Sequence, residues 1–155
     1  MEQELESAFV GPGDNAALVC VDHQQYQEIV APQLIDLGYK LHLGLLEEDV
    51  ILKLQSNSYD VIVIYENFRE STLQTNPILR QIAKEPGARR REHFVVLLSH
   101  HSATNDGMSA FVQSVDQIIN IADLANFKPL VQREITPHRK LYHSFNQTLQ
   151  SVQSL

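Results

Sequence analysis

Short, near-continuous apolar runs alternate along this chain with segments of helical period. The runs at 17–21, 60–65 and 93–99 are dominated by Val, Ile, Leu, Ala and Phe, and a fourth, at 117–121, carries Ile118, Ile119 and Ile121. A sheet with one wet face alternates apolar and polar positions. Unbroken runs predict strands covered by helices on both faces, as in a parallel α/β sheet. A weaker strand is predicted at 39–43, after Gly38. Between the strands, 45–54 sets Leu45, Leu46, Val50, Ile51 and Leu54 on one helical face. At 77–83, Asn76 stands as N-cap with Pro77 in the first turn. Residues 106–115 group Met108, Phe111 and Val112, and 127–135 predict a fifth helix with Pro129 near its start. A helix is also predicted at 28–37, where Pro32 implies a kink or a late start. Five strand–helix units with right-handed crossovers predict a three-layer, doubly wound, five-stranded parallel sheet.

The C-terminal end departs from that rhythm. Thr136-Pro137 reads as the N-cap and first-turn proline of a further helix over 137–155. It carries Leu141, Phe145, Leu149 and Val152 at roughly i, i+4 spacing, with Tyr142 beside them. Such a stripe either packs back on its own domain or serves as a docking or dimerising helix. At the other end, residues 1–16 read as an extension or linker, with an acidic opening and a turn around Gly11 and Asn15. The body of the domain is then 17–136.

A length of 155 residues suits one domain with a single full core. The net charge of −7 argues against nucleic acid as a partner, because phosphate binding needs a basic face. The basic run Arg89-Arg90-Arg91 is read as a solvated loop. The single cysteine, Cys20, lies in an apolar run, which predicts a buried thiol; one cysteine allows no intrachain disulfide and fits a reducing cytoplasm. No signal-peptide pattern is present at residues 1–7, and no apolar run approaches the roughly 20 residues needed to span a bilayer, so no membrane role is expected.

A doubly wound sheet places its site at the carboxyl ends of its strands. There the chain has Val21-Asp22-His23, Ile64-Tyr65-Glu66, Leu98-Ser99-His100 and, after the last strand, Ile121. From 17 to 136 this pattern resembles the response-regulator receiver (CheY-like) domain, whose topology is flavodoxin-like. The resemblance implies that Asp22 matches the first acid of the receiver's Mg²⁺-binding pair, with His23 replacing the second. It implies that Tyr65 stands at the phosphoacceptor aspartate, followed by Glu66. Ser99 matches the switch hydroxyl, His100 the small residue after it, and Ile121 the lysine. Lys128-Pro129 resembles the receiver's lysine–proline pair but falls seven residues late. A phenol forms no acyl phosphate, one carboxylate beside an imidazole is a poor Mg²⁺ site, and Ile121 offers the transferring oxygens no cation. The resemblance therefore implies a pseudo-receiver with a degenerate pocket and no catalytic residues.

Other chemistry is less well supported. Gly11-Pro12-Gly13-Asp14-Asn15-Ala16 matches a dinucleotide fingerprint by letter, but it precedes a strand where a working one follows a strand. Asp22-His23-Gln24-Gln25-Tyr26-Gln27 is no flavin phosphate loop. Ser99 and Ser102 flank His100 and His101 without an elbow motif or an orienting acid. The rival is a ligand- or metal-sensing rim built from Asp22, His23, Glu66, His100 and His101, since imidazoles with carboxylates suit Zn²⁺. The first expectation is a cofactor-free, non-enzymatic module of a bacterial-type two-component or regulatory pathway that binds a protein partner. Receivers signal through their fourth helix, fifth strand and fifth helix. The resemblance thus points to Phe111 and Phe127, with Leu141, Tyr142, Phe145 and Leu149 of the added helix as a partner or homodimer surface.

Overall fold

The computed structural model describes residues 15–138. The extension before residue 15 and the stripe of Leu141, Tyr142, Phe145, Leu149 and Val152 lie outside the described residues.

Five strands, β1 (Ala16–Cys20), β2 (Lys40–Leu43), β3 (Val61–Tyr65), β4 (Phe94–Ser99) and β5 (Gln117–Asn120), form one sheet in the order β2-β1-β3-β4-β5. Every pairing is parallel. Each strand lies within one residue of its expected position at both ends. The reason is physical: β1, β3 and β4 are buried along their whole length, so their apolar runs are unbroken.

Alternate strand residues feed two cores. Leu18, Cys20, Ile62, Ile64, Val95 and Leu97 face one layer; Val19, Val63, Tyr65, Val96 and Leu98 face the other. The first layer is α2 (Glu47–Ser56), α3 (Pro77–Ala83) and α5 (Gly107–Gln113), through Val50, Leu54, Ile78, Ile82 and Ala110. The second is α1 (Gln24–Asp36) and α6 (127–138), through Val30, Leu34, Phe127, Val131 and Ile135. Burying a side chain such as Phe127 contributes roughly 3 kcal/mol. Cys20 lies in the first core, and burial, then nearby Asp49, pushes its thiol well above the usual range.

Two glycines are required where they stand. Gly38 follows α1 with φ +95, a conformation L side chains avoid. At Gly44 an added Cβ would lie 2.5 Å from Val50 Cγ2, so its absence lets α2 close onto β2.

Several local expectations are corrected. Helix α1 begins at Gln24, not 28, because the ring of His23 caps it, accepting from the Tyr26 N–H at 3.4 Å. Pro32 sits inside this helix on its exposed side, where water can reach the backbone left without a partner. Helix α2 starts at Glu47, which leaves Leu45 and Leu46 outside it and largely exposed. The Arg89-Arg90-Arg91 run is not a free loop: it forms a one-turn helix, α4 (Gly87–Arg90), tied down by Arg90 to Asp116 at 3.0 Å. A six-residue 3-10 segment, Ile121–Asn126, separates β5 from α6. Within the described residues Thr136 is not an N-cap. Its hydroxyl donates to the Gln132 carbonyl at 3.1 Å, the back-bond of a helix interior, and α6 runs on through Pro137. Asn76 and Asp106 cap α3 and α5 as side-chain acceptors. The Ser109 N–H and hydroxyl hold the Asp106 carboxyl below the usual carboxylate range.

Candidate functional site

The carboxyl ends of β1, β3 and β4 bring together Asp22, His23, Tyr65, Glu66, Ser99 and His100. In this strand order the switch point lies between β1 and β3, where a doubly wound sheet opens its crevice. Aromatic rings fill the place. Tyr65 closes β3, and its phenol shares a 2.7 Å hydrogen bond with His100 Nε2. Tyr26, in the first turn of α1, stacks on His23 at 3.7 Å and meets Tyr65 edge-on at 5.5 Å. His100 stands edge-on to both tyrosines. Tyr26 was not among the expected site residues. It enters because the cap at His23 starts α1 early enough to place residue 26 over the end of β3.

Tyr65 is only 8% exposed. Burial, then Tyr26, Glu66 and Asp22, raises its phenol above the ordinary tyrosine range. It therefore stays protonated at neutral pH and is a poor nucleophile. Asp22 is exposed, and its Oδ2 accepts the Arg69 N–H at 2.9 Å. The loop delivering that N–H is strained: Arg69 and Glu70 both sit at left-handed φ, 53 and 62. Ser99 is fully buried, and its Oγ accepts from the N–H groups of His101 and Ser102, so this hydroxyl is a loop cap. Glu66 is 2% exposed, and its Oε1 has no hydrogen-bond partner among the described residues. The Asn76 amide holds the carbonyls of Tyr65 and Glu66.

At the end of the fifth strand Ile121 opens the 3-10 segment and Asn120 precedes it as its cap. The Asn120 amide donates to the Ser102 carbonyl at 2.9 Å and accepts from the Ala122 N–H. Lys128 falls in the first turn of α6, where its N–H is held by Gln33 Oε1 at 2.8 Å. The expected rim of Asp22, His23, Glu66, His100 and His101 does not assemble a metal cage. Among the described residues no group of three or more His, Cys, Asp or Glu is placed to hold an ion. The carboxylates point to separate tasks, Asp22 to a backbone N–H and Glu66 into the protein.

The expected partner surface divides. Met108, Phe111 and Val112 on α5 are 73, 81 and 65% exposed. Phe127 is a correction: it is fully buried in the second core and belongs to no free surface. Its position at the first turn of α6 turns the ring inward against the sheet. Among the described residues no helix is long and apolar enough to cross a membrane.

No protein-family model and no curated protein sequence matches the chain. Solved structures do. A receiver domain protein from Methanospirillum hungatei JF-1 matches with a TM-score of 0.62 at 9% identity, over 83% of this chain and 98% of that one. The receiver domain of Francisella response regulator 1452 matches at 0.61 and 15% identity, covering 80% and 98%. NtrX from Brucella abortus matches at 0.65 and 14% identity, and there the match covers 86% of this chain but only 29% of NtrX. The fold is that of a receiver domain. The likeness lies in backbone architecture, since identities this low carry no residue roles with them.

Proposed function

We propose that this chain is a pseudo-receiver: a signalling module of a bacterial-type regulatory pathway that acts in the cytoplasm through protein contacts, without phosphoryl transfer or other catalysis. The observation that carries this reading is Tyr65. It closes the central strand with its phenol bonded to His100 and packed against Tyr26, and in this reading it takes the place of the receiver's acceptor carboxylate. Supporting it, Asp22 is engaged by a backbone N–H and Ser99 by two, so neither is poised for an incoming phosphoryl group. The module would present one fixed state, with Tyr65 and His100 standing in for the inward arrangement of a switch.

The partner surface in this reading is the exposed apolar side of α5, with a second copy of the chain or another protein as its occupant. The test is incubation with Mg²⁺ and beryllofluoride, followed by amide NMR. Unchanged shifts at Asp22, Tyr65 and Ser99 are expected. Saturable shifts at those three would overturn the reading, because the pocket would still recognise a phosphoryl mimic. Tyr65→Asp sharpens the result: partner affinity should fall with it if the ring holds the active state.

A further inference from the structure

The amino end of the sheet holds a histidine whose two ring nitrogens both face oxygens. His93, immediately before β4, is fully buried. Its Nδ1 lies 2.9 Å from the Tyr59 carbonyl oxygen and its Nε2 lies 3.1 Å from Glu85 Oε2. A carbonyl oxygen only accepts, and so does a carboxylate. A neutral imidazole has one N–H, so one ring nitrogen would set its lone pair against an oxygen in a site closed to water, which is costly.

We propose that His93 and Glu85 together form a buried proton-binding site, holding at neutral pH one proton more than a neutral imidazole and a carboxylate would. That proton locks the segment around α4 to the amino end of the sheet. Glu85 Oε2 also meets Arg89 Nε at 3.2 Å. Arg89 in turn donates to the Leu54 carbonyl. The pair thus links β4 to α2 through the turn that carries α4.

Other charged or titratable groups near His93 have partners of their own. Arg90 donates to the His93 carbonyl at 3.2 Å and is neutralised by Asp116. On the strand side, the Asp116 carboxylate is held by the Val95 N–H at 2.8 Å. Tyr59 shares a 2.7 Å hydrogen bond with His42. Asp60 caps the Ala16 N–H, and His138 of α6 meets the ring of Phe94. None of these gives the second ring nitrogen an acceptor's complement: the two atoms facing the ring remain oxygens.

The test is ring-nitrogen NMR on the isotope-labelled full chain at about pH 7.5, where a free histidine is mostly neutral. Both His93 nitrogens should show protonated shifts. A bare Nε2 beside a protonated Glu85 carboxyl would also support the site, with the proton on the other partner. A bare nitrogen beside an ionised Glu85 overturns the proposal. In Glu85→Gln, whose amide can donate to Nε2, His93 should become the neutral Nδ1–H tautomer; a ring still doubly protonated would remove Glu85 from the site. On raising the pH of the native protein, the amide peaks of residues 84–92 should move together with the ring signals. Peaks that stay in place as the ring loses its proton would rule out the lock.

Discussion

The two ends of this sheet use the same side chains to opposite ends. At the carboxyl end, His23, Tyr26, Tyr65 and His100 meet as a cluster of rings at the surface, with one side-chain hydrogen bond among them. At the amino end, His93, Tyr59, Glu85 and His42 lie in the interior, joined by directed hydrogen bonds. The first arrangement leaves histidine rings within reach of a ligand or partner. The second spends its histidines on holding loops to strands. Fold family alone would draw attention only to the carboxyl end, although the other end holds a polar constellation of its own, in which Glu85 Oε1 has no hydrogen-bond partner among the described residues.

Removing a histidine from each end breaks this comparison most sharply. His93→Ala should destabilise by about 3 kcal/mol, because it leaves a hole in the interior and takes a hydrogen bond from the Tyr59 carbonyl. His100→Ala, at an exposed position, should cost no more than about 1 kcal/mol. Urea midpoints of the two variants check this, and equal losses would erase the distinction.

The strands that frame both ends were legible in the sequence, because residues buried on both faces must be apolar throughout. The cap at Asn76 was equally legible, its side chain being of a type that accepts from free N–H groups. What was not legible follows from the same physics. Histidine is not among the favoured cap residues, so the start of α1 at His23, and with it the place of Tyr26, was hidden. The His93–Glu85 pair joins a strand to a turn eight residues away and depends on Tyr59, 34 residues back, a coincidence that only packing creates. Phe127 was expected on a surface because the receiver resemblance points to the fifth helix as a whole, and only packing shows that its first turn faces inward.

The remaining expectations are smaller. Glu66→Met should raise stability by roughly 1 kcal/mol, since it removes a buried carboxylate whose Oε1 is unpartnered. Glu85→Met at the other end should lower it; a gain at both would mean neither glutamate is structurally used. Tyr65→Phe should cost about 1 kcal/mol at neutral pH through the lost bond to His100. The same variant has a pH signature. The folded phenol is raised above the free value of about 10, so its contribution is complete below that pH and is lost as pH rises beyond it. Tyr65→Phe should therefore flatten the alkaline decline, which chemical denaturation at about pH 9 and about pH 10.5 would reveal. The smallest effect is at the strained loop: Arg69→Gly should gain about 0.5 kcal/mol, because glycine adopts left-handed φ without penalty.

Strand order also fits assembly in the order of synthesis. After β1 and β2 pair, β3, β4 and β5 add on one side in the sequence in which a ribosome releases them. The sheet can be complete by residue 120, yet Val63, Val96 and Leu98 still await Phe127, Val131 and Ile135. For that interval a nascent chain would carry an uncovered apolar face, the kind of surface chaperones bind and aggregates grow from. Docking of α6 thus closes this face, and a chain cut before residue 127 should be captured or precipitate, not persist as a smaller domain.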